Sequence, residues 1–441
     1  MRSLWNLSFI IVFLFLLANI AQSDSTDTLV AKLPSGLTVI IREEHTINLA
    51  AVDIWIKAGS INETEENRGG SHFVEHMIFK GTRKYGPGEI DRTIEGIGAE
   101  LNGGTSKDYV HFYTTVASEY LPVALDVLAD AIINTRFAPE DFEKERGIIL
   151  DEIARSESDP SQRALSLFME TAYSVHPYRF PSTGTRESVQ KLTLKDLEEY
   201  YLAHYTPENT CVVIVGDVNS EAALDLVKTK FADFRMKSSE AVQVPQEPLQ
   251  TKPIVRRVHM DIDQAYIVLG VRAPSASEFK DICALDILLG VLGDSYRGRL
   301  SSIFTEKGIR FTKIDPDFTT RRDPTVFLVL VAVDPEDAEK AEEALLGEFD
   351  RLAQEGLSES EIGQGKRLVV GSDLFERETF SGEARTLGLG YVLGLPELAS
   401  HYVEIVQNLG RAEVNAAIRK YLGGNKYTLV VIGPQVSAEG S

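Results

Sequence analysis

Residues 70–82, GSHFVEHMIFKGT, predict a short amphipathic helix that carries His72, Glu75 and His76 on one face. Each helical residue turns the chain by about 100°, so residues three and four positions apart share a side. The opposite side holds the apolar residues Phe73, Val74, Met77 and Ile78. Two glycines precede Ser71, which is the predicted N-cap of the helix.

The polar face of this helix is typical of a zinc site. Two imidazoles at positions i and i+4 can hold one zinc ion, and a carboxylate between them can reach a water on that ion. A catalytic zinc takes three protein ligands and keeps one open position, so a third ligand must come from another segment.

A second predicted helix, residues 139–155, offers the missing ligand. Its Glu145 and Glu152 are seven residues apart and nearly superposed on the helical wheel. The apolar residues that flank them there are Phe142, Ile148 and Ile149. Because an unpaired buried carboxylate is costly, this placement calls for a cation or a proton, and a metal ion would provide the cation. We predict that His72, His76 and Glu152 bind a metal and that Glu145 supports the site, either by a hydrogen bond to a ligand histidine or by tuning the metal-bound water.

Other histidines and the two cysteines give no second site. The remaining histidines have no partner at ligand spacing and are predicted to be structural or surface residues: His45, His111, His176, His204, His259 and His401. Cys211 and Cys283 lie in apolar segments, which favours buried free thiols, with a disulfide as the alternative.

The chain is predicted to be an internal repeat of two domains. Apolar patterning predicts strands at 37–43, 50–59 and 109–117 and helices at 71–80, 118–134 and 139–155. Residues 109–153 have a counterpart in residues 325–374, with the same order of strand and helices. That alignment places Gly365 opposite Glu145 and Ser372 opposite Glu152. We predict a metal-binding domain at 24–235, a Ser-, Gln- and Pro-rich linker at 236–253, and a homologous domain without metal at 254–441.

The first 23 residues predict an exported protein. Residues 1–23 combine a lone basic residue, an apolar run and a small-residue cleavage site, which is typical of a secretory signal and indicates a periplasmic address. An uncleaved membrane anchor is the alternative, and no later stretch is long and apolar enough to span a membrane. The net charge of −21 argues against nucleic acid or an anionic membrane as a partner.

The string HFVEHMIFKGT resembles the pitrilysin/insulinase family of inverzincin peptidases, in particular its half-length branch similar to the mitochondrial processing peptidase. The resemblance continues through LNGGTSKDY, FEKERGIILDEI, HPYRFPSTGT, YYLAHYTPENTCVVIVGDV and LGDSYRGRLSSIFTEKG. It implies an α+β fold with two homologous domains, each an antiparallel sheet flanked by helices. Together the two domains would form half of a clam-shell chamber.

The resemblance also implies roles for single residues. His72, His76 and Glu152 would hold one Zn²⁺ per chain, with Glu75 as the general base and Glu145 in support. A peptide substrate would bind as an added strand along the edge strand at Asn102, Gly103, Gly104 and Thr105.

Two departures from the family pattern affect the predicted function. Gly103 and Gly104 stand in NGGTS, where the family has an aromatic residue, which would loosen selectivity at that edge. Phe304 and Phe311 stand where the family carries an Arg and a Tyr that grip the substrate. We therefore expect a heterodimer with a zinc-free homologous chain that supplies this pair, with a homodimer as the alternative.

These observations favour a zinc-dependent endopeptidase that hydrolyses peptides or unfolded segments inside a dimer chamber, with a zinc-bound water activated by Glu75. The alternative is a non-catalytic scaffold or peptide-binding subunit of a larger assembly, because architecture alone does not fix function.

Overall fold

A computed structural model describes residues 28–234 and 243–434, and each half of the chain builds one sheet flanked by helices. The strands of the first sheet are β1 (Thr28–Lys32), β2 (Thr38–Glu43), β3 (Leu49–Ile56), β4 (Leu101–Thr105), β5 (Val110–Ala117) and β6 (Thr210–Gly216). The helices of this half are α1 (Gly70–Ile78), α2 (Glu89–Glu95), α3 (Leu121–Asn134), α4 (Pro139–Ser158), α5 (Pro160–Ala172), α6 (Arg186–Lys191), α7 (Leu194–His204) and α8 (Ser220–Lys230).

The second half follows the same plan. Its strands are β7 (Ile254–His259), β8 (Ala265–Arg272), β9 (Phe311–Phe318), β10 (Val326–Val333) and β11 (Tyr427–Gly433). Its helices are α9 (Phe279–Leu292), α10 (Arg299–Glu306), α11 (Ala338–Glu355), α12 (Glu359–Glu376), α13 (Phe380–Leu393), α14 (Glu397–Ser400), α15 (Tyr402–Asn408) and α16 (Arg411–Leu422).

The two sheets share one topology. The first has the order β1-β2-β6-β3-β5-β4 and the second β7-β11-β8-β10-β9, so five strands correspond one to one. This confirms the predicted α+β fold of two related domains. The expectation of purely antiparallel sheets is wrong in one pair of each sheet, because β2 pairs with β6, and β7 with β11, in parallel. Since β6 inserts between β2 and β3, which run in opposite directions, it must lie parallel to one of them.

Each domain packs one of its helices on the sheet of the other domain. Helix α5 of the first half packs on β8 and β11, and α13 of the second half packs on β3 and β6. Gly270 in β8 allows this approach, because a Cβ there would lie 2.6 Å from Cζ of Phe168. The exchange joins the domains through apolar contacts, as in the cluster that contains Trp55, Val213, Leu387 and Val392.

The described part of the predicted linker is anchored to the first domain. Residues 243–253 have no regular secondary structure. The carboxylate of Glu247 accepts hydrogen bonds from the backbone N–H groups of Ser174, Val175 and His176, at 2.7, 3.0 and 2.8 Å. The remaining linker residues, 236–242, and the predicted signal, 1–23, lie outside the described residues. Across the described residues, no helix has the length and apolar character needed to cross a membrane.

Candidate active site

Helix α1 carries the HxxEH residues and is fixed by its apolar face. Phe73, Val74, Met77 and Ile78 are all fully buried, whereas His72, Glu75 and His76 lie on the partly exposed side. The sequence pattern therefore placed the two faces of the helix, with bounds that differ by one or two residues from those predicted.

The N-terminus of α1 is capped by a side chain that lies outside the helix. Gly69 is the N-cap residue, with φ of 87°, so the prediction that Ser71 caps the helix is wrong. The carboxylate of Glu63 accepts hydrogen bonds from the backbone N–H of Gly69 and of Ser71, both at 2.9 Å, and from the Ser71 hydroxyl at 2.6 Å. Burial raises the pKa of Glu63, and the hydrogen bonds from these donors offset only part of that rise, so that the pKa is about 7. Glu63 holds the start of the helix that presents both histidines.

Helix α4 lies against α1 and contributes the two glutamates. The rings of Phe73 and Phe142 stack between the helices, 4.8 Å apart. Glu145 is almost fully buried; its Oε2 lies 3.0 Å from Nδ1 of His76, and its Oε1 lies 2.9 Å from Nζ of Lys80. The pairing of Glu145 with a histidine matches the expected supporting position. Ile148 does not belong to the buried face as expected, since it is 37 % exposed.

His72, His76 and Glu152 come together at the surface between α1 and α4. Ligand atoms of the three side chains lie within 4.8 Å of one another. Oε2 of Glu152 is 3.7 Å from Nε2 of His72 and 3.7 Å from Nε2 of His76. Burial, together with the neighbouring His76, lowers the pKa of the His72 imidazole to about 3. His72 is therefore neutral at pH 7, which is the form that can bind a metal.

Glu75 lies beside this group of ligand atoms. Its Oε2 is 3.9 Å from Nε2 of His72 and accepts a hydrogen bond of 2.9 Å from the hydroxyl of Thr105. Burial raises the pKa of Glu75, while His76 and the Thr105 hydroxyl lower it. A carboxylate whose pKa rises toward neutrality is a better proton acceptor at neutral pH.

The edge strand β4 brings the predicted substrate-binding residues next to Glu75. Asn102 is exposed, and a Cβ at Gly103 would lie 3.2 Å from Oε1 of Glu75. The missing side chain at 103 thus leaves room for the carboxylate against the strand. Gly104 faces the other side of the sheet, where a Cβ would lie 3.2 Å from Nε2 of His111.

Three contributors to this site escaped the sequence reasoning. The cap at Glu63 and the hydrogen bond from Thr105 to Glu75 link segments that are distant along the chain. His111, expected to be a structural or surface residue, lies next to the bare backbone of Gly104. The alternation of side chains along the strands could have indicated the position of His111, because the pairing of β4 with β5 places residue 104 opposite residue 111.

The second domain has a cavity where its own α9 and α12 meet. Gly365 packs on α9, where a Cβ would lie 2.6 Å from the carbonyl oxygen of Ile287. The cavity has a volume of about 680 Å³, and Asp286, Ser372 and Tyr402 contribute to its wall. Tyr402 donates a hydrogen bond of 2.6 Å to Asp286, whose pKa burial raises to about 7. Within residues 28–234 and 243–434, the first domain alone has three His, Cys, Asp or Glu side chains placed to share a metal.

Two further expectations concern buried residues. Cys211 and Cys283 are both free and buried, which confirms the predicted thiols. Phe304 is fully buried in the core of the second domain and contacts the ring of Phe311 at 5.8 Å. The side chain of Phe304 is therefore not available to a peptide in this chain.

Comparison with known proteins identifies a family and several relatives. The family model "Insulinase (Peptidase family M16)" matches residues 38–186, and "Peptidase M16 inactive domain" matches residues 191–369. An uncharacterized zinc protease of Mycobacterium tuberculosis is 28 % identical over 412 residues, covering 92 % of this chain and 93 % of that protein. The zinc protease PqqE of Helicobacter pylori is 28 % identical over 340 residues and 76 % of each chain.

Two further matches extend the likeness. A probable mitochondrial-processing peptidase subunit beta of Arabidopsis thaliana is 26 % identical over 92 % of this chain and 78 % of that protein. The crystal structure of a protease from Helicobacter pylori has a TM-score of 0.88 and 25 % identity, covering 93 % of this chain and all of that chain.

The fold, the converging ligand residues and the zinc proteases among its relatives define a protein of the metallopeptidase type. The chain belongs to the insulinase family, peptidase family M16, and fits its half-length branch. The resemblance noted from the sequence is thereby confirmed.

Proposed function

We propose that this chain is a zinc-dependent endopeptidase. The observation that carries the proposal is the convergence of His72, His76 and Glu152, with the carboxylate of Glu75 at its side. Relatives named zinc proteases support the choice of metal.

The donor set suits one zinc ion. Two imidazoles and one carboxylate are a common ligand set of catalytic zinc in peptidases. His72 and His76 present their Nε2 atoms to Glu152, and the Nδ1 atom of His76 is engaged by Glu145. A histidine held in this way has a fixed ring orientation and a more basic metal-facing nitrogen. When bound, zinc supplies a Lewis acid that lowers the pKa of a water ligand to about 7 and polarises a carbonyl.

Glu75 is the proposed general base. Its carboxylate takes the proton of the attacking water and passes it to the nitrogen of the leaving amine, so that it ends the reaction ionised again. The burial of Glu75 favours proton acceptance, and the Thr105 hydroxyl fixes Oε2, the carboxylate oxygen that also lies 3.9 Å from Nε2 of His72. The bare Gly103 lets this carboxylate lie directly against the edge strand.

The peptide is proposed to bind as an extra strand beside β4. This strand is at the edge of the first sheet, so its outward N–H and C=O groups are available to another chain. A segment that pairs along Asn102–Thr105 passes Glu75 with chain continuing on both sides, which suits internal cleavage. Peptides and unfolded segments meet this requirement because they can become extended.

A partner chain is part of the proposal. The relative from Arabidopsis is named as a subunit, which supports assembly from more than one chain. Phe311 begins the edge strand of the second domain and offers no polar group to a peptide. We propose that a zinc-free homologous chain closes a chamber over the site and adds the Arg and Tyr. The segment 1–23 supports export to the periplasm.

The test is cleavage of a quenched peptide library by the full chain, alone and with a candidate homologous partner. We expect weak cleavage alone, strong cleavage with the partner, loss with a zinc chelator and recovery with added zinc. Zinc binding without cleavage under every condition would contradict the proposal and favour the scaffold. Full activity of a strict homodimer would contradict the proposed zinc-free partner chain and would leave the peptidase proposal intact.

A further inference from the structure

We propose that Tyr178 and Asp108 are positioning residues, through which the second domain holds the end of β4 in place for Glu75. The inference rests on the proposed peptidase function and gives the domain without metal a role in the reaction. It concerns two segments. The edge turn, residues 106–109, joins β4 to β5, and the clasp loop, residues 319–325, joins β9 to β10.

The edge turn directly follows the residue that contacts Glu75. Thr105 is the last residue of β4, and its hydroxyl donates a hydrogen bond of 2.9 Å to Oε2 of Glu75. The turn is closed by the backbone N–H of Ser106, which donates to the carbonyl oxygen of Tyr109 at 2.8 Å. A displacement of the edge turn therefore moves Thr105 relative to the carboxylate, and small displacements of catalytic groups are costly.

Tyr178 joins the edge turn to the clasp loop through its hydroxyl group. This hydroxyl donates to Oδ1 of Asp108 at 2.5 Å and accepts from the backbone N–H of Asp323 at 3.2 Å. The other oxygen of Asp108, Oδ2, accepts from the backbone N–H of Arg322 at 3.4 Å. Tyr178 is fully buried and Asp108 is 6 % exposed, so a lost contact would leave a buried polar group without its partner.

His176 and Tyr173 hold the clasp loop beside Tyr178. Nδ1 of His176 accepts from the backbone N–H of Tyr178 at 3.2 Å, so the proton of a neutral ring lies on Nε2. Nε2 then donates to Oδ2 of Asp323 at 3.1 Å. The hydroxyl of Tyr173 donates to the carbonyl oxygen of Pro324 at 3.1 Å. These hydrogen bonds fix the loop without requiring a charge on the imidazole.

The first domain holds the edge turn from a different side. The backbone N–H groups of Ser60 and Ile61 donate to the carbonyl oxygens of Ser106 and Lys107, at 3.3 and 2.8 Å. These contacts reach the start of the turn, whereas Asp108 in its second half is held by Tyr178 and the clasp loop. The turn is therefore fixed at both ends only when the second domain is packed in place.

The ring of Tyr178 and its hydroxyl can be separated experimentally. The ring packs in the apolar cluster between the domains, together with Phe168 of the first half and Leu328 of the second. Phenylalanine would keep that packing, so Tyr178→Phe removes the hydrogen bonds of the hydroxyl and little else.

The first experiment measures kcat for a quenched peptide, with the full chain and its partner where cleavage requires one. In Tyr178→Phe, kcat should fall by roughly tenfold at unchanged zinc content, because Thr105 is no longer held against Glu75. Asp108→Ala removes the same contact from the other side and should lower kcat to a similar extent. In a Thr105→Val background, Tyr178→Phe should cause no further loss, because both changes act through one hydrogen bond.

The matched control is Tyr201→Phe. Tyr201 is also buried, and its hydroxyl donates to the carbonyl oxygen of Ile132 at 2.6 Å, within the first domain. This variant should keep the wild-type kcat. Hydrogen exchange followed by mass spectrometry gives a readout that does not depend on cleavage. Amides of residues 101–110 should exchange faster in Tyr178→Phe than in the wild type or the control, and wild-type exchange elsewhere reports that each variant is folded.

The outcomes separate the inference from the peptidase proposal. Unchanged exchange of residues 101–110 in Tyr178→Phe, or an unchanged kcat, would overturn the inference and leave the peptidase proposal intact. An equal loss of kcat in Tyr201→Phe, or a further full loss when Tyr178→Phe is added to Thr105→Val, would indicate general destabilisation and would also overturn it. Absence of all peptide cleavage would overturn both.

Discussion

Replacement of Glu145 by Gln tests how the buried carboxylate supports the metal. Its Oε2 accepts from Nδ1 of His76 at 3.0 Å, and its Oε1 pairs with Lys80 at 2.9 Å. A hydrogen bond to a charged group contributes about 1.5–3 kcal/mol. Gln keeps an oxygen acceptor for the imidazole but loses the charge, so we take the lower limit, which corresponds to roughly tenfold weaker zinc binding.

The assay is a competition between the protein and a fluorescent zinc chelator at constant pH. The matched control is Glu143→Gln on the same helix, whose side chain is 66 % exposed and pairs with Arg146. The control should keep the wild-type zinc affinity. Unchanged zinc affinity in Glu145→Gln, or equal weakening in both variants, would refute the reasoning that the contact with His76 matters.

Three other changes probe the site, the start of α1 and the cavity of the second domain. Thr105→Val should lower kcat by roughly tenfold without changing zinc content, because Glu75 loses its positioning hydrogen bond. Glu63→Gln should lower the free energy of unfolding by about 1–3 kcal/mol in urea titrations, since one carboxylate oxygen that accepts from the start of α1 is replaced by an NH₂ group, which cannot accept. Asp286 has a folded pKa of about 7 against an ordinary 3.8, so the folded chain binds the extra proton and stability falls as pH rises toward 7. In urea titrations, Asp286→Asn should remove a slope of at most about 1.4 kcal/mol per pH unit in that window.

The local periodicity of the sequence was enough to predict the helices that form the site. Helix α1 has its four apolar residues buried because residues three and four apart must share a face. Glu145 and Glu152 reach the same region for the same reason. Ile148 lies at the margin of the apolar stripe on the helical wheel. The burial of a side chain at such a position depends on what packs against it, and Ile148 is exposed.

Features that depend on contacts between distant segments could not be predicted in this way. The Glu63 cap requires the turn that brings residue 63 under Gly69 and Ser71. The exchange of α5 and α13 and the parallel strand pairs depend on how the two domains meet and how the chain returns to each sheet. Phe304 is buried because of the way α10 packs in its domain. An alignment of sequence positions gives no information about that packing.

The most direct test of the proposed zinc peptidase measures zinc content and peptide turnover on one preparation of Glu75→Gln. The predicted result is one zinc per chain with turnover reduced by at least about a hundredfold, because the metal ligands remain and the general base is lost. Wild-type turnover in a variant that still holds its zinc would contradict the assignment of Glu75 and the proposed mechanism with it.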